Sequence, residues 1–139
     1  MKAESLQWRK LRPFLVAAKL DPIRVENPIY PGTPDVNHIY GWIELKQIFD
    51  WPRDGLLVRI PHFTPQQRVF LYKRWRAAPG TTFLLLEIRS TRQWLLFDGD
   101  VAARIVGRAK EDEYRARARA IFDVSDLARL PKILTEARA

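Results

Sequence analysis

The longest apolar stretches of this 139-residue sequence, such as residues 83–86, have the length of a β-strand, and ten prolines and six glycines break the chain between them. A chain punctuated in this way cannot rest on long buried helices. It has to fold as short elements packed in layers around a core. At this length one compact domain is expected, large enough to bury that core.

Periodicity places the elements. Trp8, Leu11, Leu15 and Ala18 recur at helical spacing, which predicts a helix over residues 3–18. Residues 23–27 read as a short strand. Pro28, Pro31, Gly32 and Pro34 then form a rigid connection, and Pro34 forces Thr33 out of helical conformation, so a strand is expected to start at Asp35. Residues 41–46 read as the next strand, joined to it as a hairpin by a turn near residues 38–40. Residues 49–55 read as a loop and residues 56–60 as a further strand candidate. Thr64-Pro65 is an N-cap followed by a first helical residue, opening a helix that Pro79-Gly80 ends near residue 78. Residues 81–88 and 93–97 form a second hairpin. Asp98 or Asp100 can cap a short helix closing at Gly107, and Ser125 a last helix to about residue 137. The order α-β-β-β-α-β-β-α-α predicts an α/β fold, a central mixed sheet flanked by helices. Residues 1–107 are expected to form its core. Residues 108–139 read as a charged linker and C-terminal helix, either part of the same domain or a dimerisation extension.

Charge narrows the class of partner. The sequence holds 24 basic residues, 17 of them Arg, against 16 acidic ones, for a net charge of +8. An Arg excess suits bidentate phosphate contacts, so nucleic acid is the first candidate partner, set against plain solubility. With no cysteine there is no disulfide, thiolate metal site or cysteine nucleophile. No Gly-rich phosphate loop is present. Residues 1–8 lack an apolar signal core and no later run is long enough to span a bilayer, so a soluble, cytoplasmic protein is expected.

The first hairpin carries the chemistry. Strand alternation puts Trp42, Glu44 and Lys46 on one face, with Ile43 and Leu45 on the other. With the turn centred on Ile39 and Tyr40, Asp35 lies opposite Glu44, where same-face Cβ atoms are ~4.5–5.5 Å apart. Two carboxylates so close repel unless a cation lies between them, and oxygen ligands suit Mg2+ or Mn2+. Lys46 stays within reach of the same point. A metal beside an ammonium suits phosphodiester hydrolysis. The competing reading is a solvated surface hairpin with a weak Glu44–Lys46 pair. Gln67 precedes Leu71, Trp75 and Ala78 at helical offsets and so lies on a buried stripe. It would there face either a reacting group or the start of its own helix. Glu4, in line with Trp8, repeats this pattern on the first helix.

The run Gly32-Thr33-Pro34-Asp35-Val36-Asn37 followed by Trp42-Ile43-Glu44-Leu45-Lys46 resembles the PD-(D/E)XK nuclease motif. With Arg24-Val25-Glu26-Asn27 before it and Pro65-Gln66-Gln67-Arg68 after it, the sequence is similar to the small stand-alone VRR-NUC nucleases of phages and bacteria. Those are related to Holliday-junction resolvases. The similarity spans roughly residues 4–97. It implies a restriction-endonuclease-like core and a Mg2+- or Mn2+-dependent DNA endonuclease, selective for branched or junction DNA and acting as a homodimer in DNA recombination or repair. Asp35 and Glu44 would ligate the metal together with the Leu45 carbonyl, Lys46 would be the catalytic lysine, and Gln67 and Glu4 would complete the site.

Arg24, Arg53, Arg59, Arg68, Lys73 and Arg74 are candidate phosphate contacts, which would position DNA without reading its sequence. Arg24 could instead pair with Glu26 or Glu44. His38 alternates away from Asp35 and is not expected to bind metal. His62 reads as a surface or DNA-contacting residue, Trp51 as packing locally, and Phe83, Trp94 and Phe97 as core. Leu127, Leu130 and Leu134 of the tail are candidates either for a dimer interface or for packing on the parent domain.

Overall fold

The computed structural model describes residues 3–27 and 29–138, with side chains from Leu6 onward. Its strands are β1 (Ile23–Arg24), β2 (Val36–His38), β3 (Gly41–Ile48), β4 (Thr82–Ile88), β5 (Gln93–Asp98) and β6 (Ala120–Asp123). They form one six-stranded sheet in that order. Only β3 and β4 run parallel, and the other neighbours are antiparallel. The helices are α1 (Ala3–Ala17), α2 (Pro65–Ala77), α3 (Gly99–Ile105), α4 (Glu111–Arg117) and α5 (Leu130–Glu136). The fold is therefore α/β, a mixed sheet flanked by helices. Among the described residues no helix is long and apolar enough to cross a membrane.

Alternation along the strands divides the core into two layers. Ile43, Leu45, Phe83, Leu85, Trp94, Leu96 and Phe122 pack with Leu11 and Leu15 of α1 and with Leu127, Leu130 and Leu134. On the opposite face Leu84, Leu86, Leu95 and Phe97 pack with Leu71 of α2, Ala102 and Ile105 of α3 and Tyr114 of α4. Every residue of β4 is buried, as expected of a strand covered on both faces. The sheet's chain reversal at Ile39 and Tyr40 is tight against its neighbour. A Cβ on Gly41 would overlap the backbone of Thr81, whose carbonyl accepts the Trp42 N–H (2.8 Å).

Several boundaries differ from expectation. β1 ends at Arg24 and β2 starts at Val36, one residue after Asp35. Residues 56–60 form no strand. They make one isolated bridge, Leu57 to Lys110. Val58 instead turns inward and its N–H bonds the Ala109 carbonyl (2.9 Å).

The tail differs most. Residues 108–119 are not a linker. They carry α4, with Glu111, Asp112 and Glu113 in its first turn and Arg115 and Arg117 in its last, which favours a helix through its macrodipole. β6 follows and closes the sheet's far edge against β5. Ser125 does not cap the last helix. A 3₁₀ segment, Val124–Arg129, begins after Asp123 and leads into α5. Leu127, Leu130 and Leu134 are fully buried beneath the sheet, so they are not free for a dimer interface.

His38 on β2 is 2% exposed, and its Nδ1 accepts the Tyr40 N–H (3.3 Å). Burial first, and the charge of Arg138 second, lower its pKa from 6.5 to about 4. A depressed histidine contributes stability that is complete above its unfolded pKa and is lost as pH falls through its folded one. The loss between about pH 6.5 and pH 4 amounts to about 3 kcal/mol. Denaturant titrations of the wild type and His38→Asn, which keeps an acceptor for Tyr40, should diverge across that window, the variant losing less. A gap that does not change with pH would mean that His38 is not the acid-sensitive group.

Candidate active site

The site forms where β2 leaves β3. The register Val36↔Ile43 and Asn37↔Trp42, carried one step outward, sets Asp35 opposite Glu44. Pro34 precedes it, is buried, and has no N–H to continue the ladder. The Leu45 N–H, left without a strand partner on that side, donates to Asp35 Oδ2 (2.9 Å). The N–H and C=O of a strand residue point to the same side. The Leu45 carbonyl is therefore directed toward the same gap.

Asp35 is held from its other side as well. Arg24 Nη1 donates to Asp35 Oδ1 (3.1 Å) and to the Asp35 carbonyl (3.2 Å), while the Val25 N–H donates to that carbonyl (2.7 Å). Arg24 thus pairs with Asp35, rather than with Glu26 or Glu44. Its guanidinium fixes the carboxylate that faces Glu44.

Glu44 and Lys46 are 1% and 4% exposed. Lys46 Nζ lies 3.4 Å from Glu44 Oε2 and donates to the His62 carbonyl (2.9 Å). His62 has the left-handed φ of 63°, an uncommon state for a residue with a side chain, in the turn that delivers this carbonyl. Glu44 Oε1 is buried without a hydrogen-bond partner among the described residues. Burial first, and the charge of Asp35 second, push the Glu44 carboxyl well above its usual range, while Lys46 pulls it back. A solvated surface hairpin does not describe this arrangement.

Two facing carboxylates, one with an orphaned oxygen, and a carbonyl directed at the gap between them form a donor set that fits a hard divalent cation. Such an ion would satisfy Glu44 Oε1 and neutralise the repulsion that raises the Glu44 pKa. Among the described residues no group of three or more His, Cys, Asp or Glu side chains assembles. The backbone carbonyl therefore has to be part of any such set.

The other expected residues are distributed unevenly. Gln67 is half-buried at the third position of α2 and closes a capping box. Its Oε1 accepts the Thr64 N–H (2.9 Å) and its N–H donates to Thr64 Oγ1 (3.2 Å). The helix-start reading of Gln67 therefore describes its carbonyl oxygen. Glu4 belongs to the first turn of α1, where its side chain lies outside the described residues. Arg68 turns inward, with its guanidinium over the Phe63 ring (4.4 Å) and bonded to the Ala103 carbonyl (3.1 Å). Those contacts occupy it as a brace between α2 and α3. Arg53, Arg59, Lys73 and Arg74 are exposed. Trp51 packs against Tyr114, their ring centroids 5.7 Å apart.

One residue was missed. Gln7 of α1 is fully buried, and its Nε2 donates to the carbonyls of Lys46 (3.0 Å) and Leu85 (3.1 Å). It ties the backbone of the lysine-bearing strand to α1. The signal was present in the sequence, since Gln7 stands four residues before Leu11 and eight before Leu15, on the buried stripe itself.

A carboxyl whose pKa is raised by folding costs stability as pH climbs from its unfolded value through its folded one. In chelator, Glu44→Gln should gain on the wild type over that rise and then keep a constant margin. Denaturant titrations from mildly acidic to mildly alkaline pH would read it, and a margin independent of pH would mean that Glu44 is not the perturbed group. Comparison of the chain with family models, curated proteins and solved structures returns no match.

Proposed function

We propose that this chain is a metal-dependent DNA endonuclease with a restriction-endonuclease-like core, hydrolysing phosphodiester bonds with a preference for branched DNA. The observation that carries the reading is the buried Glu44, one oxygen orphaned, facing Asp35 and flanked by the ammonium of Lys46. A fold has little reason to bring these three groups together in a dry place unless a cation and an anionic substrate meet there.

Asp35, Glu44 and the Leu45 carbonyl would hold Mg2+ or Mn2+. When bound, such an ion polarises a phosphate and lowers the pKa of a coordinated water. The chain's own residues do the positioning. Arg24 keeps the Asp35 carboxylate turned toward Glu44. The His62 carbonyl and Glu44 keep the Lys46 ammonium at the edge of the pair, where it would stabilise charge developing on a phosphate. The exposed Arg53, Arg59, Lys73 and Arg74 would bind the DNA backbone. Paired cuts across a four-way junction would need two copies of the chain.

Cleavage of a four-way junction, a flap and a blunt duplex in Mg2+ tests the reading. The wild type should cut, with the junction or flap preferred. Glu44→Ala should abolish cutting while still binding DNA, and Lys46→Ala should slow it by about 10²–10³-fold. No cutting of any substrate in Mg2+ or Mn2+ would defeat the reading, and equal cutting of all three would remove the branched preference. DNA affinity should also fall with salt at a log–log slope of about −0.9 per phosphate neutralised on duplex DNA. Salt-insensitive binding would assign the net charge to solubility alone.

A further inference from the structure

At the C-terminal end of β3 lies a cleft of about 930 Å3 whose walls include Gln47, Phe49, Arg59, Pro61 and Arg89. A second hollow of about 460 Å3 shares Phe49 and Arg89 with it and adds Lys10 and Arg92. Phe49 lines both, and it is 67% exposed. An exposed phenyl ring forgoes much of the gain of leaving water. It is also not a loose side chain on a loose loop. The Phe49 carbonyl accepts the Ser90 N–H (2.7 Å) and the Ile48 carbonyl accepts the Arg89 N–H (3.0 Å), so the edge of the sheet presents the ring on a fixed backbone.

The surroundings are positive. The Arg89 guanidinium lies 5.8 Å from the Phe49 ring centroid, with Arg59 in the wall of the larger cleft. Of the two acids nearby, Glu87 is ion-paired and the exposed Asp50 lines the larger cleft, where the two arginines outnumber it. Asp50 Oδ1 accepts the Trp51 N–H (2.8 Å), and Glu87 pairs with Lys10 (2.8 Å). A fixed aromatic ring with Arg89 over it and Arg59 in the same cleft wall matches a ligand with flat apolar rings joined by anionic groups.

The location is also specific. Phe49 lies one residue beyond the end of β3 and three after Lys46, a separation of about 10 Å along extended chain. Pro61 in the cleft wall directly precedes His62, whose carbonyl holds Lys46. The cleft therefore reaches, through Pro61, the turn whose carbonyl holds Lys46.

We infer that this cleft takes a single-stranded stretch of DNA adjoining the bond to be cut, with one unpaired base stacked on Phe49 and its flanking phosphates on Arg59 and Arg89. The inference rests on the proposed nuclease reading for the identity of the strand. It gives that reading a physical source of selectivity. Bases inside a duplex are already stacked on one another, so only a flap, an overhang or an opened junction arm can offer a free base face.

The test is DNA binding by the full-length chain in chelator, where nothing is cut. Fluorescence anisotropy would compare a single strand, a duplex with an overhang and a blunt duplex. Phe49→Ala should raise Kd about tenfold for the first two and leave the blunt duplex unchanged, with Phe49→Trp restoring affinity. Arg89→Ala should weaken the same two substrates. Equal weakening of all three substrates, no weakening of any, or failure of the Trp variant to restore affinity would each overturn the inference. Binding and cutting separate the two claims. A wild type that cuts flaps, with Phe49→Ala binding normally, removes the platform and keeps the nuclease. A wild type that cuts nothing, with overhang binding selectively lost in Phe49→Ala, removes the nuclease and keeps the platform.

Discussion

Glu44 and Lys46 are buried on the central strand of the sheet, and much of the surrounding structure answers that burial. Removing two opposite charges from water costs several kcal/mol for each ion unless geometry and hydrogen bonds compensate. The compensation is partial. Lys46 has Glu44 and the His62 carbonyl, whereas Glu44 has Lys46 on one oxygen and, among the described residues, no hydrogen-bond partner on the other. Asp35, which could have relieved the site by moving away, is instead fixed in place by Arg24 and the Leu45 N–H. The arrangement leaves Glu44 Oε1 without a hydrogen-bond partner among the described residues, and a divalent cation would supply one.

The scaffold makes such a strained point affordable by surrounding it with apolar packing. β4 is buried along its whole length, and α1 and α5 cover one face of the sheet while α2, α3 and α4 cover the other. Some polar groups in this interior are paired. Glu87 meets Lys10, Thr82 bonds the Leu71 carbonyl, and the Gln7 amide bridges two strand carbonyls. Gln7 Oε1, His38 Nε2 and the Nε1 atoms of Trp51 and Trp94, like Glu44 Oε1, have no hydrogen-bond partner among the described residues. The free oxygen of Glu44 differs from the other unpaired atoms in belonging to a carboxyl that faces a second carboxylate, Asp35.

Legibility followed the range of the interactions. The first hairpin was readable because its turn, its alternation and Pro34 all act within a dozen residues, and together they imply Asp35 opposite Glu44. α2 was readable from Thr64-Pro65 and its apolar stripe. The strand expected at residues 56–60 was a local pattern that long-range packing overrode, with Val58 drawn into the core beside Ala109. β6 escaped notice because four residues carry little periodicity, and α4 because its single buried anchor, Tyr114, is surrounded by charge. Gln7 was legible in principle and was passed over, since the stripe was drawn through Glu4 and Trp8 instead.

From sequence alone came the α/β class, the pairing of Asp35 with Glu44 and the placing of Lys46 on the same face, because strand alternation and a two-residue turn are local geometry. Burial was decided only in the tertiary structure. Whether Glu44 and Lys46 were solvated or dry depended on the 49–64 loop, whose His62 and Phe63 reach Lys46, and those contacts join residues far apart in the chain. The same holds for Arg24 meeting Asp35, for the His62 carbonyl reaching Lys46, and for the tail becoming the last strand and a layer of the core. Spacing in a sequence sets which side of a strand a charge takes, but its pKa and its need for a partner depend on what the rest of the chain packs against it.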